Sequence, residues 1–151
     1  MRFFTAFTAL LLLSSYVQAD SAKRIVALAP HVVENLFAIG AGDLIVGTVD
    51  YADYPDAANA IPRIGGYNGI QLEKLLALKP DLVIAWQTGS KKIDLAKVEK
   101  LGIKVVYSDA KDINKVADEL RLFGQLTGKI KEGEQAATEF TAQFEEIKTR
   151  Y

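Results

Sequence analysis

Four apolar residues in a row, Leu82-Val83-Ile84-Ala85, follow the turn residues Lys79-Pro80-Asp81 and end on Trp86. The run has no polar alternation, the pattern of a strand in a parallel sheet whose two faces are both covered by helices. Pro80 has no N–H and pushes Lys79 out of the helical region, so the turn closes the helix before it. Arg24 to Leu28, Leu44 to Val49 and Lys104 to Tyr107 are three more short strand-like runs. Between them the hydrophobic period becomes helical. Pro30 opens a stretch in which Val33, Leu36, Phe37 and Gly40 share one face, with Gly40 and Gly42 ending it. Gln71 to Leu78 turns Leu72, Leu75 and Leu76 inward, with Asn68 as the expected cap. Lys91 to Leu101 is a third helix, broken by Gly102, and Asp112 caps a fourth with Ile113, Val116, Ala117, Leu120 and Phe123 on one face. From Lys131 to Tyr151, apolar residues recur every three or four positions, which predicts one helix about 30 Å long.

Strands alternating with helices imply right-handed parallel crossovers, so the expected class is α/β: a Rossmann-like parallel sheet flanked by helices. Residues 1–19 stand apart. Arg2, the apolar run Phe3 to Leu13 and the small residues around Ala19 read as a secretory signal peptide, too short to span a bilayer. The expected organisation is a signal peptide (1–19), an α/β ligand-binding lobe (20–130) and a long helix (131–151). That helix has no stop signal and the chain ends on its apolar stripe at Tyr151, so a truncated chain is expected. The chain has no cysteine, hence no disulfide, no thiolate metal site and no residue for a lipid anchor; a periplasmic protein that is not a lipoprotein is expected. A formal net charge of −1 carries no footprint for nucleic acid or an anionic membrane.

The predicted strand ends bring Pro30 and His31, Tyr51 and Tyr54, Trp86 with Gln87 and Thr88, and Ser108 with Asp109 to one edge of the sheet, and Tyr67 lies in a glycine-rich loop free to join them. Aromatic faces with neutral hydrogen-bonding groups suit a bulky, flat, partly apolar ligand that carries amides. Phosphate-binding glycine motifs are absent, as is a GxSxG elbow, and a single histidine leaves no convincing catalytic set. No catalytic residue, no resident metal and no enzyme activity are therefore expected. A different class remains open, an exported Rossmann-like metal-dependent enzyme, which would need a metal at Asp50, Asp53 and Asp109. Taken alone, Trp86 reads equally as a core cap or a ligand wall, His31 as a partly exposed polar residue, and Glu73 as a solvated helix charge.

The segments RIVALAPHVVENLFAIGAGDLIVGTVDYADYP, QLEKLLALKPDLVIAW and LGIKVVYSDA resemble the amino-terminal lobe of the helical-backbone class (class III) of periplasmic binding proteins. These proteins serve ABC importers of cobalamin, ferric siderophores and haem. DYADYP together with IAW is most similar to the cobalamin (vitamin B12) binders. The resemblance implies two lobes joined by a long interlobe helix, with only the first lobe and that helix in this chain. It implies cobalamin as cargo and not as cofactor, an ABC importer membrane permease as partner, a monomer, and no membrane insertion. Tyr51 and Trp86 match cleft aromatics, Tyr67 stands where the cobalamin binder has a tryptophan, and Glu73 matches the glutamate that docks on permease arginines. Pro30, His31 and Gln87 complete the expected ligand-binding set. Within the class, a ferric-siderophore or haem binder is the alternative.

Overall fold

The computed structural model describes residues 20–66 and 68–150; the predicted signal peptide, Tyr67 and Tyr151 lie outside the described residues. The chain runs β1 (Ile25–Ala27), α1 (Pro30–Ala38), β2 (Ile45–Thr48), β3 (Gly65–Gly66), β4 (Gly69–Ile70), α2 (Leu72–Ala77), β5 (Leu82–Trp86), α3 (Lys92–Lys100), β6 (Lys104–Ser108), α4 (Ile113–Thr127) and α5 (Ile130–Arg150). Four strands form one parallel sheet in the order β2-β1-β5-β6. Successive strand residues point to opposite faces, and here both faces are roofed. Ile25, Ala27, Leu82 and Ile84 pack with Val33 and Leu36 of α1 and Leu120 and Phe123 of α4. Val26, Val83 and Ala85 pack on the other side with Leu75 of α2 and Leu95 and Val98 of α3. The expected Rossmann-like α/β class is what forms.

Several local expectations need correction. α1 stops at Ala38, so Gly40 lies past its end, exposed at φ 71, and Val32 and Ile39 complete the buried face. The stretch Ile64 to Gly69 is not simply irregular, because β3 and β4 pair there as a small antiparallel hairpin. Asn68 sits in that hairpin's turn, upstream of the Gln71 N-cap, and caps nothing; its carbonyl accepts the Lys91 Nζ at 2.7 Å. α2 is only six residues long; Leu76, within it, is exposed on the face away from the buried Leu75, while Leu78, just beyond the helix, packs on the core. Asp112 does cap α4, its Oδ1 accepting the N–H groups of Asn114 (2.9 Å) and Lys115 (3.2 Å).

α4 ends at Gly128, which takes the left-handed φ of 74 that a helix C-cap favours. The long helix α5 then packs on α4. Contact is close because two glycines face each other: a Cβ on Gly133 would lie 2.7 Å from the Leu120 carbonyl oxygen and 3.0 Å from the Gly124 Cα.

Candidate functional site

The crossover after β1 runs outward to β2 on one side and the crossover after β5 runs outward to β6 on the other, so the strand order reverses between β1 and β5. In open α/β sheets the crevice beyond the carboxyl ends of two such strands is where ligands bind. A cavity of about 220 Å³ lies there, lined by Leu28, Ala29, Pro30, Tyr51, Trp86 and Lys91 among others. Trp86 closes β5, and the chain doubles back at once: the Ser90 N–H donates to the Trp86 carbonyl (2.9 Å) and the Trp86 N–H to Ser90 Oγ (3.1 Å). A Cβ on Gly89 would overlap the indole, so the missing side chain lets the turn fold against the ring. Trp86 remains 43% exposed. Tyr51, just past β2, is 83% exposed.

His31 stands on the indole edge-on, ring centroids 5.7 Å apart at 80°. Its Nε2 is 2.7 Å from Ser108 Oγ, and the Ser108 hydroxyl donates to Glu119 Oε1 at 2.7 Å. The Asp109 N–H donates to the same carboxylate oxygen at 2.7 Å. Burial pushes the His31 pKa below its ordinary value, with the Glu119 and Glu34 charges pulling it back up. Glu119 is itself buried, 7% exposed, inside the apolar face of α4. No motif in the sequence singles Glu119 out, although it lies three residues after Val116 and four before Phe123, on the very stripe that defines the helix.

The remaining predicted residues are spread more widely. Gln87 donates its main-chain N–H to the Ser108 carbonyl (2.9 Å), and the residue is exposed. Glu73 is exposed in the first turn of α2, and Tyr67 lies outside the described residues. The three carboxylates that the enzyme alternative requires are not gathered. Asp53 pairs with Arg63 (3.3 Å), Asp109 with Lys111 (3.0 Å), and the Asp50 carboxylate lies against Gly66.

A family model described as periplasmic binding protein matches residues 25–151. The chain belongs to that family. A vitamin B12-binding protein of Vibrio vulnificus (strain CMCP6) is 35% identical over 142 residues, covering 94% of this chain and 52% of the relative. The crystal structure of a periplasmic vitamin B12 binding protein of Vibrio cholerae superposes with a TM-score of 0.81 at 36% identity, over 86% of this chain and 51% of that one. A periplasmic heme binding protein from Pseudomonas aeruginosa, at 23% identity and a TM-score of 0.77 over 83% of this chain and 45% of that one, shares the fold. The chain spans about half the length of the curated relatives it matches.

In this periplasmic binding protein Tyr51 is held at φ 65, a left-handed backbone that a bulky residue rarely adopts. Such strain costs about 1–2 kcal/mol, against about 0.5–1 kcal/mol for the extra chain freedom a glycine would bring. Tyr51→Gly is therefore expected to raise the unfolding free energy slightly, by up to about 1 kcal/mol, while removing an aromatic from the cavity. Urea denaturation checks the sign; a loss of stability would mean that the tyrosine ring is held by packing and not displayed against a strained backbone.

Proposed function

We propose that this protein captures cobalamin in the periplasm and delivers it to the membrane permease of an ABC importer, acting as a monomeric carrier without chemistry of its own. The observation that carries the reading is the half-exposed Trp86 at the β1/β5 switch point, with Tyr51 across the same cavity, in a chain whose relatives are named for vitamin B12. Two aromatic faces, with Pro30 at a helix start and His31 and Gln87 beside the strand ends, suit a large neutral macrocycle edged with amides. Tyr67 would add a third ring. Residues 1–19 would direct export and leave with signal cleavage, without lipid anchoring.

Glu73, solvent-facing on α2, is the proposed permease contact, a carboxylate placed to meet basic side chains. In a protein of the relatives' length, α5 would be the helix that joins this lobe (20–130) to a second. Haem or ferric-siderophore transport is the competing reading within the family.

Trp86 is the only tryptophan, so its fluorescence reports the cavity wall directly. Titration with cobalamin, haem and a ferric hydroxamate is expected to give saturable quenching with cobalamin first. Saturation by haem with none by cobalamin would replace the proposal with its competitor. With the cognate importer in vesicles, Glu73→Arg is expected to abolish carrier-stimulated ATP hydrolysis while cobalamin quenching persists; unchanged stimulation would remove Glu73 from the docking role.

A further inference from the structure

The hydrogen-bond chain behind Trp86 has a direction. Ser108 has one hydroxyl proton, and it is committed to Glu119 Oε1. The 2.7 Å contact between Ser108 Oγ and His31 Nε2 must then be an N–H donating to the hydroxyl oxygen. His31 is thereby held as the Nε2–H tautomer, and Nδ1, which has no partner among the described residues, keeps its lone pair. Glu119 reaches this position only by sitting inside the apolar face of α4, where its Oε2 has no hydrogen-bond partner among the described residues. A buried carboxylate with one oxygen unsatisfied is expensive and calls for a reason.

We propose that Glu119 is a positioning residue of the ligand wall: through Ser108 it fixes the tautomer and ring plane of His31, and the fixed imidazole sets the orientation of Trp86. Resting on the cobalamin reading, the same lock has a specificity consequence. A neutral imidazole presenting only a lone pair at Nδ1 accepts an N–H and offers no proton, so it favours a ligand edge carrying primary amides over one carrying carboxylates. Charged groups facing the ring are Glu34 on its own helix and Glu119 on α4. Asp109 beside Ser108 is paired with Lys111, and β5 presents the uncharged Trp86.

One histidine and one tryptophan in the chain make the test clean. Nitrogen-15 NMR of the single imidazole is expected to show the Nε2–H tautomer in the wild type. In Glu119→Ala the freed Ser108 hydroxyl can donate to Nε2, and the tautomer is expected to shift toward Nδ1–H. Glu119→Gln, whose amide oxygen still accepts from Ser108, should restore Nε2–H. It should also lower the pH at which protonation of His31 quenches Trp86, because the carboxylate charge is gone. An Nδ1–H tautomer in the wild type, or Nε2–H unchanged in folded Glu119→Ala, would overturn the proposal. Should Glu119→Ala fail to fold, Ser108→Ala removes the link from the other side and is expected to give mixed tautomers; a pure Nε2–H form there would equally overturn it. Glu119→Ala is also expected to weaken cobalamin about 3–10-fold, the worth of one ordinary hydrogen bond. If the wild type binds no cobalamin, the transport reading falls, while the tautomer measurements, made without ligand, still judge the role of Glu119.

Discussion

Trp86→Ala is expected to weaken cobalamin binding by about 30-fold or more, the loss of at least about 2 kcal/mol that marks an aromatic hot spot. The exposed face is enough to supply this: covering the 43% of the residue that is open, roughly 65–110 Å² of a tryptophan's 150–250 Å², at about 25 cal/mol per Å² gives roughly 2–3 kcal/mol. Stability should change little, by about 1 kcal/mol or less, because the ring is 43% exposed and stands on a glycine turn and the edge of His31. The contrast with a core residue is sharp: truncating a buried aromatic costs about 3–5 kcal/mol of stability. Equilibrium dialysis read by cobalamin absorbance, paired with urea denaturation, separates the two roles. A variant that unfolds easily and binds normally would make Trp86 a core cap after all.

That ambiguity was built into the sequence. The unalternated run before Trp86 was enough to place a doubly covered strand, because only a strand roofed on both faces tolerates four apolar residues in succession. Whether the last ring faces core or crevice depends on the opposite directions of the crossovers after β1 and β5, which no local pattern states. Glu119 shows a different limit. Its spacing marks it as an inward position, yet a charge on an apolar stripe is ordinarily read as a helix-edge residue; only Ser108 and the Asp109 N–H, eleven and ten residues away, explain why it is tolerated. Asn68 and Leu76 failed for a third reason. The helix begins at Leu72 behind a Gln71 N-cap, three residues after Asn68, and of the adjacent Leu75 and Leu76 only the first faces the sheet, a rotation that two neighbouring leucines do not specify.

The helix pair behind the site permits a test in which two principles predict opposite signs. Glycine inside a helix is worth about 1 kcal/mol less than alanine, so by propensity alone Gly133→Ala should stabilise α5. Packing says otherwise. The new Cβ would stand 2.7 Å from the Leu120 carbonyl oxygen and 3.0 Å from the Gly124 Cα, and neither backbone atom can rotate away as a side chain would. Overfilling of this kind costs about 1–3 kcal/mol for a small increment. The net expectation for Gly133→Ala is a loss of about 1–2 kcal/mol, rising to about 3 kcal/mol or more for Gly133→Leu. The strain is delivered at a telling place, since Leu120 follows Glu119 on α4. If α4 is pushed outward there, Glu119 draws back from Ser108, His31 loses its anchor, and Trp86 emission should change together with the urea midpoint. Increased stability in Gly133→Ala would show that the two helices do not approach as closely as their facing glycines allow; lost stability with unchanged emission would show that the helix pair bears weight without reaching the ligand wall.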